Sequence, residues 1–140
     1  MIKVLMSVIA LIGSASMACP DFSGSYSCEG QKVSLLLKNL DGQMVYQWNE
    51  DNLIVDGSQH VLKKEQFLMD YSSFCTSEIW RLSSTIFHKM GDRVQVGHAL
   101  FSRIDSGTLK YAYGVSLYSK DGEKIFELPE KSIQCRQTKD

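Results

Sequence analysis

Residues 19–28 are Cys19-Pro20-Asp21-Phe22-Ser23-Gly24-Ser25-Tyr26-Ser27-Cys28. From Phe22 to Cys28 every second residue is a serine, and this period of two is typical of a β-strand with one buried face. Half of the four cysteines of the chain also lie in this stretch. It therefore predicts the first strand of a disulfide-bonded β-structure.

Residues 1–18 have the pattern of a secretory signal peptide. Val4 to Ile12 is an apolar run too short to span a bilayer, and Ser16-Met17-Ala18 is a small-x-small cleavage site. We expect cleavage near Ala18 and a secreted or periplasmic mature chain. The alternatives are an uncleaved anchor and, as in bacterial lipoproteins, lipidation of Cys19. Lipidation would leave an odd number of cysteines in an oxidising compartment.

The mature segment, residues 19–140, is long enough for one domain with one modest core. The whole 140-residue chain has a formal net charge of −1, with no long run of either sign. Because phosphate binding needs clustered positive charge, we expect no nucleic-acid partner. No second apolar stretch is long enough for a transmembrane helix. These features predict a single, monomeric domain.

Turn signals recur along this segment at intervals of about ten residues. Asp41-Gly42, Asp56-Gly57 and Asp121-Gly122 are typical of hairpin turns, and long alternating segments run from Val94 to Ile104 and from Leu109 to Leu117. The pattern predicts an all-β fold, an antiparallel up-and-down meander with two disulfides. Both a barrel and a sandwich fit it. We expect a closed or nearly closed barrel of about 8–10 strands, because a barrel removes exposed strand edges.

The middle of the chain is less regular. Lys63 to Met69 fits either a strand or a helical turn, because lysine and glutamate favour helices. Tyr71 to Thr76 is predicted to form a loop. If the protein acts by binding another protein, we expect an exposed loop such as Tyr71 to Cys75 to make the contact.

Four cysteines allow three pairings. A local Cys19–Cys28 bridge conflicts with an extended first strand, because bridged Cα atoms lie within about 7 Å. In an up-and-down barrel the last strand runs antiparallel to the first, which favours Cys19–Cys135 with Cys28–Cys75. A shifted register would instead give Cys28–Cys135 with Cys19–Cys75, and this alternative stays open.

One face of the predicted hairpin of residues 94–117 combines apolar bulk with a few polar groups, as small-molecule pockets do. The candidate interior residues for ligand binding are Tyr46, Trp48, His98, Ser102, Tyr111 and Tyr113. The alternative is an ordinary core in which His98 bonds a tyrosine hydroxyl, because buried polar groups find partners regardless of function.

No arrangement of residues in the sequence indicates catalysis. There is no Gly-x-Ser-x-Gly elbow, His-Glu-x-x-His, phosphate loop or calcium loop. The cysteines form no Cys-x-x-Cys, and neither cysteine nor histidine has the close spacing of a zinc site. We therefore expect no enzymatic activity, no catalytic residues, no metal and no cofactor.

Phe22-x-Gly24-x-Tyr26 resembles the Gly-x-Trp opening of the lipocalin and related calycin barrels, with Tyr26 in place of the tryptophan. In those proteins the aromatic residue closes the base of the barrel and a late arginine packs over it. The resemblance implies that Gly24 and Tyr26 close the barrel, that Arg136 forms a cation–π pair with Tyr26, and that an apolar ligand binds inside.

Tyr26-Ser27-Cys28 and the residues up to Val33 also resemble the opening of the small periplasmic lysozyme inhibitors. Those proteins insert a Ser-x-Ser-Gly loop into lysozyme, and this chain has no such loop. The two resemblances imply different functions. The first is binding of a small apolar ligand, and the second is protein binding or enzyme inhibition through a surface loop.

Overall fold

The computed structural model describes residues 19–139 and, within them, ten β-strands and no helix. The strands are β1 (Gly24–Cys28), β2 (Gln31–Leu40), β3 (Gln43–Trp48), β4 (Asp51–Ile54), β5 (Gln59–Lys63), β6 (Phe67–Cys75), β7 (Ile79–His88), β8 (Arg93–Asp105), β9 (Thr108–Ser119) and β10 (Lys124–Gln137). The predicted signal peptide, residues 1–18, lies outside the described residues.

All ten strands form one antiparallel sheet in the order β4-β3-β2-β1-β10-β9-β8-β7-β6-β5. Because β1 pairs with β10, the sheet curls into a nearly closed barrel whose gap lies between β4 and β5. Two hydrogen bonds cross this gap: the Ile54 amide donates to the Tyr71 hydroxyl (2.9 Å) and the Gly57 amide to the Ser73 carbonyl (2.8 Å). The predicted all-β meander barrel is confirmed.

Tight turns make most of the connections, as the sequence predicts. The hairpin predicted at Asp56-Gly57 is wrong, because the flanking strands β4 and β5 lie at opposite ends of the strand order and do not pair. Asp41 and Gly42 between β2 and β3 have φ values of 52° and 82°. Two successive positive φ values are typical of the two-residue turn that matches the right-handed twist of paired strands.

The segment from Lys63 to Thr76 differs from the prediction. Residues 67–75 form β6, so the expected loop at 71–76 is wrong, and no helical turn occurs in this part of the described chain. Strand β6 pairs with β5 on one side and β7 on the other, and its alternate side chains, Met69, Tyr71, Ser73 and Cys75, are buried. Burial inside the barrel outweighs the local turn propensity of the serines.

The disulfides are Cys19–Cys75 and Cys28–Cys135, with Cα–Cα distances of 5.0 and 4.2 Å. The preferred prediction of Cys19–Cys135 with Cys28–Cys75 is therefore wrong, and the shifted-register alternative is correct. The reason is that β10 continues past Cys135, so that Gln137 lies opposite Tyr26 and Cys135 opposite Cys28. Two disulfides indicate an oxidising, non-cytoplasmic compartment.

Candidate functional site

Residues 19–23 close one end of the barrel. β1 and β6 lie on opposite sides of the ring of strands. The Cys19–Cys75 disulfide links the segment before β1 to the last residue of β6, so residues 19–23 cross this end of the barrel. Phe22 is only 1% exposed, and its carbonyl accepts a hydrogen bond from the Tyr26 hydroxyl (2.8 Å). The Tyr46 hydroxyl accepts from the Phe22 amide (3.1 Å) and donates to the Pro20 carbonyl.

The arginine at this closed end is Arg103, so the predicted cation–π pair of Arg136 with Tyr26 is wrong. Arg136 is exposed on β10, on the face opposite the buried Cys135. The Arg103 guanidinium lies 5.5 Å from the centroid of the Phe22 ring and donates to the Asp21 carbonyl (2.9 Å). The sequence gives no direct signal for this contact, because the two residues are 81 positions apart.

The other two residues assigned to barrel closure are at this end. Tyr26 is buried, and burial raises the pKa of its hydroxyl. Gly24 has a φ of 150°, a conformation that L-amino acids rarely adopt. A Cβ atom there would also lie 2.9 Å from Nε2 of Gln137.

A stack of aromatic rings runs through the interior from the closed end. Neighbouring ring centroids are 4.1 Å apart for Tyr46 and Trp80, 5.3 Å for Trp80 and Phe101, 4.6 Å for Phe101 and Tyr111, and 4.9 Å for Tyr111 and Tyr113. The interplanar angles are 7–27°. The first three rings are fully buried, whereas Tyr111 and Tyr113 are half-buried.

The stack ends in a pocket of about 270 Å³ at the open end of the barrel. Trp48, Tyr111 and Tyr113 supply its aromatic surface. Its other apolar lining residues are Leu53, Met69, Leu82, Ile86, Ala99 and Val115, and its polar ones include Asn49, Asp51, Ser84 and Gln95. An apolar recess with a few polar groups is the usual form of a small-molecule site.

Two tyrosines, Tyr111 and Tyr113, line this pocket. Within residues 19–139 neither the Tyr111 nor the Tyr113 hydroxyl forms a hydrogen bond, whereas those of Tyr26, Tyr46 and Tyr71 do. Both are therefore free to bond a ligand. Burial, and to a lesser degree the neighbouring Tyr113, raises the pKa of Tyr111 to about 12.

Four of the six predicted interior residues, Tyr46, Trp48, Tyr111 and Tyr113, lie inside the barrel. Trp48, Tyr111 and Tyr113 border the pocket, and so does His98, although its side chain is half-exposed. The prediction that His98 and Ser102 point inward is wrong. Ala99 and Phe101 are the buried residues of this part of β8, and alternate side chains of a strand point to opposite faces.

His98 lies on the outer face. Its side chain is about half-exposed, and its Nε2 lies 3.3 Å from Oε2 of Glu130. The imidazole covers Gly114 of the neighbouring strand, where a Cβ atom would lie 2.6 Å from Cε1 of His98. Among residues 19–139 no hydroxyl is within hydrogen-bond distance of this imidazole, so the pair lacks a nucleophile.

The His98–Glu130 pair borders a polar groove of about 400 Å³ on the outside of the barrel. Half of its lining residues carry a hydroxyl or a carboxylate, among them Asp70, Ser72, Ser83, Thr85, Ser116 and Glu127. Among residues 19–139 no phenylalanine, tyrosine or tryptophan lines it. The outer groove therefore differs in chemistry from the pocket.

A cluster of polar side chains for which the sequence shows no motif lies around the turn between β4 and β5. Oδ1 of Asp56 accepts from the Ser58 hydroxyl (2.8 Å) and lies 2.8 Å from Nε2 of His60. Burial alone would raise the pKa of Asp56, but hydrogen bonds from His60 and Ser58 hold it below its ordinary value. Ser58 and Asp56 both contact the same imidazole nitrogen, whereas a catalytic triad needs them on different nitrogens. The cluster therefore caps the turn.

Comparison of the chain with protein-family models, with curated protein sequences and with solved structures found no match. Among residues 19–139 no helix could cross a membrane. Fold and site thus define a class: a disulfide-bonded, ten-stranded antiparallel β-barrel, closed at one end and with an apolar pocket at the other.

Stability should fall at alkaline pH because of the interior tyrosines. Burial raises the pKa of Tyr46 and of Tyr111 to about 12 in the folded protein, whereas the pKa of tyrosine in an unfolded chain is about 10. Above that pH the unfolded chain loses protons that the folded chain keeps, so the free energy of unfolding declines as pH rises toward about 12. Urea unfolding at increasing pH measures this decline. Tyr111→Phe should make this decline with pH shallower. An unchanged slope would show that burial of Tyr111 does not contribute to the decline.

Proposed function

We propose that the mature protein is a secreted or periplasmic, monomeric and non-catalytic protein that binds a small, largely apolar ligand in the pocket at the open end of the barrel. The observation that carries the proposal is the combination of this apolar recess with the Tyr111 and Tyr113 hydroxyls, which no group among residues 19–139 bonds. A core that served stability alone would bury these rings as fully as it buries Tyr46 and Trp80.

The signal-peptide pattern of residues 1–18 and the two disulfides support an extracytoplasmic location. The size of the pocket favours a small ligand, because pockets for drug-sized molecules usually measure about 300–1,000 Å³. The filled closed end leaves no room for a long chain to thread through the barrel, since Tyr46, Trp80 and Phe101 occupy that half.

The test is binding of the neutral apolar dye N-phenylnaphthylamine to the purified mature protein, followed by dye fluorescence. Val115→Trp would fill the pocket from its inner wall and should weaken binding at least about tenfold, or about 1.4 kcal/mol. The matched control is Val96→Trp on the outer face, where Val96 is exposed; it should bind as the wild type does. If Val115→Trp bound the dye as tightly as Val96→Trp and the wild type do, the dye would bind outside the pocket and the proposal would be overturned.

A second candidate function is protein binding or inhibition of the lysozyme-inhibitor type. The expected contact loop at 71–75 is a buried strand, but two adjacent hairpins project apolar side chains at the open end. Met90 is 93% exposed and Phe126 is 56% exposed. This candidate predicts that the mature protein inhibits lysozyme and that Met90→Ser with Phe126→Ser abolishes inhibition. Undiminished lysozyme activity at saturating protein would exclude it.

A further inference from the structure

The inner face of the sheet is filled by rings at one level of the barrel. Phe101 of β8 lies between Trp80 of β7 and Tyr111 of β9 in the strand register. The Phe101 and Tyr111 rings are nearly parallel, with centroids 4.6 Å apart and an interplanar angle of 7°. Three neighbouring strands therefore contribute three stacked rings.

Toward the open end the same strands carry smaller side chains. One inward position further along, Ala99 lies between Leu82 and Tyr113. One position beyond that, Gly97 is opposite Ser84. The successive inward positions of β8 toward the open end are Phe101, Ala99 and Gly97. Because the last two side chains are small, an empty volume remains beside Tyr113. This step from large to small side chains forms the pocket.

We infer that this pocket selects a planar aromatic ligand with a hydrogen-bonding group, an inference that rests on the proposed function and names its ligand class. The ring of the ligand would lie against Ala99 and stack on Tyr113 as Phe101 stacks on Tyr111. It would become the next ring of the stack. Rings prefer such offset, nearly parallel contacts.

The polar groups around the empty volume fit such a ligand. The Tyr111 and Tyr113 hydroxyls can donate to an oxygen or nitrogen on the ring, and Ser84 and Gln95 line the same space. The Asp51 carboxylate at the mouth is paired with Lys64. A neutral ring with one polar substituent therefore matches both the apolar and the polar parts of the pocket.

The experiment compares two neutral alcohols by calorimetric titration of the mature protein: naphthol, which is planar and aromatic, and decanol, which is flexible and aliphatic. We expect naphthol to bind at least about tenfold more tightly than decanol. Equal affinities, or tighter binding of decanol, would overturn the aromatic selectivity and leave the proposed function standing. Binding of neither alcohol would overturn both.

Two variants place the ligand in the pocket. Tyr113→Leu keeps an apolar wall but removes the stacking surface, so naphthol should bind about three- to tenfold more weakly while decanol is unaffected. Ala99→Phe supplies the missing ring from the protein itself and should abolish naphthol binding. The near-ultraviolet circular dichroism of each variant reports whether it is folded. Naphthol affinity unchanged in folded Ala99→Phe would refute the inferred position.

Discussion

Replacing both Cys28 and Cys135 with alanine should lower the free energy of unfolding by about 4–5 kcal/mol. The disulfide closes a loop with a sequence separation of 107 residues, and the stabilisation from restricting the unfolded chain grows with loop length. The loss is comparable with the whole stability of many small domains, about 5–15 kcal/mol. Urea unfolding of the double variant against the wild type measures it.

This disulfide also stabilises the shortest strand pairing in the described barrel. β1 and β10 pair at three positions, Tyr26–Gln137, Ser27–Arg136 and Cys28–Cys135, and this pairing closes the meander. Amide hydrogen exchange in β1 should therefore accelerate in the double variant.

The matched control is Cys19→Ala with Cys75→Ala, which opens a loop with a separation of 56 residues. By loop entropy this double variant should lose about 4 kcal/mol of unfolding free energy. It detaches residues 19–23 from β6 but leaves the β1–β10 pairing in place. If β1 exchanged equally fast in both double variants, the assigned role of Cys28–Cys135 would be wrong.

Trp80→Ala should cost about 3–5 kcal/mol, the usual range for removing a large buried ring. Trp80 is 1% exposed and lies in the middle of the ring stack. Its ring centroid is 4.1 Å from that of Tyr46 and 5.3 Å from that of Phe101. Alanine would leave a cavity between those rings, because strands paired on both sides cannot collapse into it.

The indole N–H of Trp80 makes a separable contribution, because it donates to the hydroxyl of the fully buried Ser73 (2.6 Å). Trp80→Phe keeps a ring in the stack but leaves that hydroxyl unbonded, a cost of about 1–3 kcal/mol. Adding Ser73→Ala should recover part of it. Thermal unfolding of Trp80→Ala, of Trp80→Phe and of Trp80→Phe with Ser73→Ala separates the loss of the ring from the loss of the hydrogen bond. If Trp80→Phe were as destabilising as Trp80→Ala, the ring contacts would not stabilise the fold.

The alternation of side chains and the turn dipeptides were sufficient to predict the strand-rich architecture. Asp41-Gly42 predicts its hairpin because the turn depends on the φ values of two adjacent residues. Tyr111 and Tyr113 were assigned to one face, and the structure places both rings beside the pocket. These features depend on neighbours in sequence, so a short window of residues contains the information.

The orientation of β8 could not be read in the same way. This strand has apolar residues on both faces: Ala99 and Phe101 point inward, whereas Val96 and Ile104 are exposed. Alternation alone does not show which set faces the core, so the predicted inward orientation of His98 is wrong. The ring stack decides the orientation, because Phe101 packs between Trp80 and Tyr111.

By itself, the sequence determined that this protein has an all-β, antiparallel, disulfide-bonded fold, because period-two burial and turn geometry are local properties of the chain. The choice between a barrel and a sandwich depends on the β1–β10 pairing. Only the tertiary structure decided the rest: the Cys28–Cys135 pairing, the packing of Arg103 on Phe22, and the empty volume beside Ala99. Each depends on the register between strands distant in sequence. That register is set by the packing of the whole interior, since a shift of one residue would turn every side chain of a strand to the other face.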